Sequence, residues 1–255
     1  MTDRNQQDNW DAHRERYADS ASQNPAQRMR RELVFHALTE GRGVTARLLD
    51  VGSGQGEFPA KAMVAGFATA YAGFEWSKSG VRIARRKLPL AQILPVDLFN
   101  PAPASAAFEA WATAAVCSDV IEHVDEPVEF LRRLGRCLAP GARLVLTVPG
   151  GPTSAFDRHF GHRMHYSGQS VRQTLEEAGF TVGKIWRAGF PFFNLYRSLV
   201  ISRGRRLIAD VEGGDDNRAA SFLARITMSA FGFSFRLNLR NSAFGWQVVA
   251  IATKT

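Results

Sequence analysis

Hydrophobic positions along this chain follow two rhythms that take turns. Short unbroken apolar runs alternate with stretches where apolar side chains recur every three or four positions. The first rhythm belongs to strands covered on both faces, the second to helices with one buried stripe. Trp10 to Ser20 and Pro25 to Glu40 read as two N-terminal helices, the second carrying Met29, Leu33, Val34, Ala37 and Leu38 and closing at Gly41. Strand one is Arg47 to Val51, with a helix from about Gly56 to Gly66. Strand two is Ala70 to Trp76, and its helix runs from Ser77 to Leu88. A short strand three spans Ala91 to Val96, and Pro101 to Ala107 is a loop rich in proline and alanine. Strand four is Thr113 to Cys117, followed by a helix from Glu126 to Ala139. Ala139-Pro140-Gly141 is a turn, after which Ala142 to Val148 forms strand five. A helix from Ser170 to Ala178 stops at Gly179, strand six runs from Phe180 to Arg187, and a last strand from Gly245 to Thr253.

Strands alternating with helices predict an α/β fold, a doubly wound, Rossmann-like, seven-stranded parallel sheet joined by right-handed crossovers. The 255 residues make one domain. Residues 1–44 are expected as an N-terminal helical lid, 45–189 as a ligand-binding core and 244–255 as the last strand. Residues 190–243 form a helical insertion that a minimal sheet of this kind does not need. In it Phe193, Tyr196, Val200 and Leu207 share one stripe beside Arg197, Arg203, Arg205 and Arg206. After Gly213-Gly214-Asp215-Asp216, a second amphipathic helix carries Phe222, Leu223, Ile226 and Ala230.

Composition narrows the class. An apolar content of 45% with 22% charged residues is that of a globular chain, and no run approaches the roughly 18 apolar residues of a membrane span. Met1 to Asp19 lacks the apolar centre of a secretory signal. Cys117 in a strand and Cys137 in a helix suit a reducing compartment better than a disulfide framework. A cytoplasmic protein is expected. The formal charge is +8, and between Arg187 and Arg240 nine arginines face four acids. Such an excess draws anionic partners, or is simply a solvated face. Residues 190–240 are therefore open to peripheral contact with the inner face of a membrane, to capping an apolar substrate tail, or to packing on the core.

The candidate chemistry starts at Leu48-Leu49-Asp50-Val51-Gly52-Ser53-Gly54-Gln55-Gly56-Glu57-Phe58. A buried strand ends in an acid and turns into a helix through three glycines at alternate positions, leaving backbone bare enough for a nucleoside-bearing ligand. A dinucleotide loop of the form Gly-x-Gly-x-x-Gly would need its third glycine where Glu57 stands. Acid-x-Gly-x-Gly-x-Gly resembles instead the first motif of class I S-adenosylmethionine-dependent methyltransferases. The resemblance covers about Leu48 to Gly189, and continues through Ser118-Asp-Val-Ile-Glu-His-Val124 and Leu138-Ala-Pro-Gly-Ala-Arg-Leu-Val-Leu-Thr-Val-Pro149.

In such a sheet ligands lie beyond the carboxyl ends of the strands, where strand order reverses. Four pieces of this sequence fall there. Asp50, Gly52, Ser53, Gly54 and Gly56 make the loop against which the methionine part of S-adenosylmethionine would lie. Glu75 closes strand two, where a carboxylate can accept from both ribose hydroxyls, and Trp76 offers a flat face to adenine. Asp97 ends strand three, placed to accept from the adenine amino group while Leu98 packs on the ring. Ser118 follows strand four, and the resemblance gives it a backbone contact with the cofactor. One glycine turn or one acid after a strand says little; four pieces in the right order are specific.

The pairing of Ile-Glu-His-Val with Leu-x-Pro-Gly is similar to the branch that methylates quinones, glycans and other small molecules. The Asn/Asp-Pro-Pro-aromatic segment of amino-methylating nucleic-acid enzymes is absent, as is the Pro-Cys nucleophile of cytosine-C5 enzymes. The expected partner is a small-molecule or lipid-linked acceptor, such as a quinone precursor or a polyprenyl-linked saccharide, and not nucleic acid.

A sulfonium cofactor brings its own leaving group, so the protein must hold an acceptor in line and, for an oxygen, provide for its proton. Histidine is the default base near neutral pH. His123 follows strand four near the expected methyl site, or is a helix-start residue bonded to backbone. The segment His159-Phe-Gly-His162-Arg-Met-His165-Tyr166 follows strand five and is expected to wall the acceptor pocket. His162 or His165 would act there as base or as hydrogen-bonding wall, Tyr166 as wall or core, and Asp157 as an orienting or a solvated acid. Three histidines three apart invite a metal, but Gly161 and Arg163 interrupt them and none is expected. Trp10, Tyr17 and Arg30 are candidates for closing the site, Arg30 as partner of the cofactor carboxylate. The expected activity is methyl transfer from S-adenosylmethionine to such an acceptor at oxygen. The alternatives are a non-catalytic S-adenosylmethionine-binding protein, and a nicotinamide-dependent oxidoreductase, which Glu57 disfavours.

Overall fold

The computed structural model describes residues 24–41, 43–101, 103–213 and 231–255, with the side chains of 104 and 205–213 left out of that description. The helix expected at Trp10 to Ser20 and the one carrying Phe222, Leu223, Ile226 and Ala230 lie outside the described residues.

Seven strands form one sheet: β1 (Thr45–Val51), β2 (Ala68–Glu75), β3 (Gln92–Pro95), β4 (Ala112–Ser118), β5 (Leu138–Pro149), β6 (Phe180–Ala188) and β7 (Gln247–Lys254). Their order is β3-β2-β1-β4-β5-β7-β6. Successive side chains of a strand point to opposite faces, and here both faces are covered. Leu49, Val51, Phe74, Cys117 and Leu146 belong to one core cluster. Leu48, Val116, Val145 and Val249 belong to the other. Two-sided burial is why the strands read as unbroken apolar runs.

β1 to β5 pair in parallel, as expected. The last strand corrects the all-parallel expectation, because β7 lies antiparallel between β5 and β6. Gln247 opens β7 opposite Pro149 and Ala188, the carboxyl ends of its two neighbours. The segment after β6 therefore brings the chain back at the end where β6 left it, and a strand entering from there must run the other way. The turn at Ala139-Pro140-Gly141 sits inside β5 as an irregularity, where pairing jumps from Ala112 opposite Leu138 to Ala114 opposite Arg143.

The helices are α1 (Pro25–Thr39), α2 (Glu57–Val64), α3 (Lys78–Lys87), α4 (Pro127–Arg136), α5 (Ala155–His159), α6 (Gly168–Glu177) and α7 (Phe192–Gly213). Asn24 caps α1, its side chain accepting from the Ala26 amide at 2.9 Å, and Pro25 occupies the first turn. Over its described part the expected lid is a packed layer of the domain: Met29, Leu33, Val34, Ala37 and Leu38 are all buried in the core. Arg143 of β5 locks the far end of α1, donating from Nη1 to the carbonyls of Ala37, Leu38 and Glu40 at 3.1, 3.2 and 2.7 Å. These are the carbonyls a helix end leaves without partners.

The insertion opens with α7, which kinks at Gly204 (φ 33°, ψ −107°). Asn238 Oδ1 accepts from the amides of Phe192 and Phe193 at 2.8 and 3.2 Å, so the segment before β7 caps the helix. Phe193 is buried against Phe235, ring centroids 5.9 Å apart. Cys117 and Cys137 are buried and unpaired. Among the described residues no helix is long and apolar enough to cross a membrane. Replacing Arg143 with methionine keeps the stem and removes three carbonyl partners, so urea unfolding should show a loss of about 2 kcal/mol. An unchanged midpoint would mean that α1 holds its place without this tie.

Candidate active site

Strand order reverses between β1 and β4, since the chain moves outward to β2 and β3 before returning to β4. The loops leaving β1 and β4 meet there. Gly52, Gly54 and Gly56 take φ values of 75°, 56° and 79°, the left-handed region that side chains resist. A Cβ on Gly52 would stand 2.3 Å from Cγ2 of Val120, so the bare position also lets the two loops touch.

Glu75 holds the first loop. Its Oε2 accepts from the Gly54 amide at 2.6 Å and its Oε1 from the Ser77 amide at 2.9 Å, with the side chain buried at the end of β2. Gly52 and Ser53 donate their amides to the Phe74 carbonyl at 2.8 and 3.1 Å. The Ser53 hydroxyl is buried and meets no hydrogen-bond partner among the described residues. Asp50 lies 4% exposed beneath the loop, and burial, helped by the charge of Glu75, pushes its carboxyl up to about 7. Trp76 is half-buried just after β2. Glu57 begins α2 and pairs with Lys87, where a third glycine of a dinucleotide loop would stand.

Asp97 and Leu98 fit their expected parts less directly. Asp97 shapes its own turn, accepting from the Phe99 amide and from Asn100 Nδ2, both at 2.9 Å. Leu98 is 6% exposed and packs within the main core. The hollow of about 310 Å³ lined by Thr45, Thr113 and Arg143 lies at the opposite, amino end of the strands and holds none of these groups.

Beyond β4 the Ser118 hydroxyl bonds that of Thr147 at 2.7 Å. Asp119 has a positive φ of 53°, tolerated by aspartate better than by most residues. It joins three elements: Thr147 Oγ1 and Gln247 Nε2 donate to Oδ1 at 3.3 and 2.9 Å, and Arg30 of α1 pairs with Oδ2. Arg30, expected to meet the cofactor carboxylate, is committed to this ion pair. Ile121 to His123 then make a single 3₁₀ turn. Glu122 in that turn is 0% exposed, and among the described residues neither carboxyl oxygen has a hydrogen-bond partner. Burial first, and the neighbouring Asp119 second, hold its carboxyl well above the ordinary range.

The segment after β5 folds onto this turn. Arg163 donates its amide to the Glu122 carbonyl and Nε to the His123 carbonyl, both at 2.7 Å, and pairs with Asp125. His162 is thereby set edge-on to His123, ring centroids 4.7 Å apart. Beyond it, His162 Nδ1 and His165 Nε2 are 3.2 Å apart, and His165 Nδ1 is 3.1 Å from the Gly151 carbonyl. A carbonyl can only accept, so His165 carries its proton on Nδ1, and its Nε2 accepts from Nδ1–H of His162. That leaves Nε2 of His162 as a bare lone pair. Burial, followed by the charge of His123, lowers His162 to about 3, and burial lowers His165.

Asp157 does orient the segment. Burial alone would raise its carboxyl, yet Arg197 of α7 and Ser154 bring it down to about 2. Arg197 Nη2 reaches both oxygens, at 2.9 and 2.8 Å, and Ser154 donates its amide and hydroxyl to Oδ2 at 2.8 and 2.7 Å. The insertion is thus pinned to the histidine segment.

Several expectations change. An imidazole held near 3 is a weak proton acceptor at neutral pH, so His162 suits the hydrogen-bonding wall and not the base. His165 has both ring nitrogens engaged and acts through His162. His159 is exposed at the end of α5, resting on Phe160, and its place in the cluster is taken by His123. Tyr166 is core, 3% exposed. Asp119 borders the site as its place after strand four implies, and Glu122, quoted only as part of the Ile-Glu-His-Val motif, joins it as a functional candidate.

A family model described as a methyltransferase domain matches residues 10–185, more than half of the chain. No curated protein matches in sequence. Among solved structures, the [4+2]-cyclase SpnF is 22% identical, with a TM-score of 0.55 over 88% of this chain and 80% of that one. Geranyl diphosphate C-methyltransferase from Streptomyces coelicolor is 15% identical, with a TM-score of 0.55 over 88% and 78%. Phosphoethanolamine N-methyltransferase 2 from Haemonchus contortus is 15% identical, with a TM-score of 0.57 over 88% of this chain and 52% of that one. Likeness at this level shows the fold.

Asp50 yields a test of the site's electrostatics. Its folded value of about 7 stands above the unfolded 3.8, so the group favours folding only while protonated. That contribution is full below pH about 4 and fades as pH rises through about 7. Asp50→Asn should therefore gain stability over the natural chain across that window, reaching about 2–4 kcal/mol at pH 8. Parallel stability curves from pH 4 to 8 would refute the buried, protonated carboxyl.

Proposed function

The chain belongs to the methyltransferase-domain family and uses S-adenosylmethionine, and we propose that its acceptor is a small molecule, free or linked to a lipid or glycan, methylated at oxygen. The residues fit the cofactor: a loop of left-handed glycines, a buried carboxylate at the end of β2 and a buried Ser53 hydroxyl left without a partner. Gly52, Gly54 and Gly56 would admit its methionine part, Glu75 its ribose, and Trp76 and Asp97 its adenine. When bound, it supplies a methyl group on a positive sulfonium, with a neutral thioether as leaving group.

The remaining work belongs to the chain. Glu75 keeps the glycine loop against β2, so the cofactor would meet a backbone already in place. Arg163 holds the histidine segment over the turn after β4 and fixes the distance between the two walls of the crevice. Positioning of this kind can supply roughly 7–11 kcal/mol of a transfer barrier.

The observation that carries the oxygen reading is the pair Glu122 and His162. One ligand atom of each lies within 4.8 Å of the other's, and among the described residues the buried Glu122 carboxyl meets no hydrogen-bond partner. A hydroxyl brings its own hydrogen to such a face and turns its oxygen lone pairs away from it. Leu195, Leu199 and Phe244, exposed on and beside α7, favour an acceptor with an apolar tail, or contact with a lipid surface.

The test is an acceptor screen with isotopically labelled methyl donor, carried out on the natural chain and on His162→Phe. An O-methylated product is expected, with kcat/KM reduced about 10-fold or more in the variant, as for a lost hydrogen bond, and cofactor affinity unchanged. A product labelled at carbon or nitrogen, or a variant as active as the natural chain, would contradict the oxygen assignment.

A further inference from the structure

We propose that Glu122, His123 and His162 form a binding site for a first-row divalent cation such as Zn²⁺. One atom from each, a carboxylate oxygen and two imidazole nitrogens, all lie within 4.8 Å of one another. His123 Nε2 is 4.0 Å from Glu122 Oε1. Bonds of about 2.0–2.2 Å to a tetrahedral ion place ligand atoms roughly 3.3–3.5 Å apart, so the three must draw in by under about 1.5 Å.

The Glu122 carboxyl is wholly buried, and among the described residues neither oxygen meets a hydrogen-bond partner. Buried polar groups are nearly always bonded, and a carboxyl left without a partner is destabilising. The cation nearest by charge, Arg30, is already paired with Asp119. A metal ion bound to Glu122 would remove the deficit.

The surroundings are those of a ligand set. Metal-binding imidazoles usually donate their other N–H to a fixed acceptor. His162 does so through Nδ1 to His165, which is itself anchored on the Gly151 carbonyl. Arg163 fixes the main chain of both Glu122 and His123. Asp157, His162 and His165 form a second cluster of the same size. It is the poorer candidate, because Asp157 is spent on Arg197 and Ser154, and a cation there would face the Arg197 guanidinium. One carboxylate with two imidazoles suits Zn²⁺, Fe²⁺ or Co²⁺ and not the all-oxygen shells of Mg²⁺ or Ca²⁺.

Three protein ligands leave a coordination position open. An acceptor oxygen could take it, with the ion standing where the hydroxyl's hydrogen would otherwise meet His162. That use rests on the methyltransferase reading; the binding does not.

The experiment uses tag-free protein stripped with a chelator, desalted and titrated with Zn²⁺ alone, then with Co²⁺ as a spectroscopic probe. About one equivalent of Zn²⁺ should remain after gel filtration, raising the melting temperature, and Co²⁺ should give visible d–d bands. Glu122→Gln and His162→Ala should each weaken binding at least about tenfold, whereas the exposed His159→Ala should bind like the natural chain. Circular dichroism confirms that each variant is folded, and Glu122→Gln keeps the side chain's size while removing the carboxylate that would ligate the ion. Binding well below one equivalent, unchanged affinity in both ligand variants, or loss in His159→Ala would overturn the site. S-adenosylmethionine titrations of the same samples report separately, since their failure would strike the methyltransferase reading and leave the metal result standing.

Discussion

The site depends on a carboxylate at the end of a strand. Glu75 accepts from the amides of Gly54 and Ser77, and so holds two chain segments that leave neighbouring strands in one fixed relation. Loops without such a tie would be free to move. Here the glycine loop lies in its left-handed conformation on the edge of the reversal point between β1 and β4. What the enzyme binds first, and where the reacting group would arrive, both follow from that placement.

The second half of the crevice is built by different means. No strand carries the histidine segment; Arg163 brings it to the turn after β4, and Arg197 pins it from the insertion through Asp157. Cofactor side and acceptor side are thus separate pieces of engineering, one in the sheet and one in loops. Solved structures that share the fold are named for methylation at carbon, for methylation at nitrogen and for a cycloaddition. The sheet leaves the acceptor open, and the proposed oxygen chemistry rests on the loop-borne face of Glu122, His123 and His162.

Much of the fold was legible because two-sided burial writes itself into sequence. β1, β2 and β4 fall where apolar runs end in an acid or a small polar residue, β5 where one ends at Pro149, and Glu57 at the start of α2 separates this loop from a dinucleotide loop. The direction of β7 was not legible, since an apolar run has no sense; it followed from where the chain returns after α7. The histidine cluster was half legible. Spacing joined His159, His162 and His165, but Gly161 at φ 79° turns the chain, and His123 comes in from another loop. Glu122 entered only as a letter of the Ile-Glu-His-Val motif, with no role, because an acid there reads as a solvated residue unless burial is known. Arg30 was expected at a ligand and found on Asp119, a partner with a left-handed backbone that sequence does not reveal.

The most direct test of the central claim is calorimetric titration of S-adenosylmethionine into the natural chain and into Glu75→Ala. Saturable heat at one site is expected for the natural chain, with an affinity lower by about 10²-fold or more in the variant, as follows from removing a charged hydrogen-bonding group that also holds the loop. Equal affinity in both, or no heat in either, would contradict it.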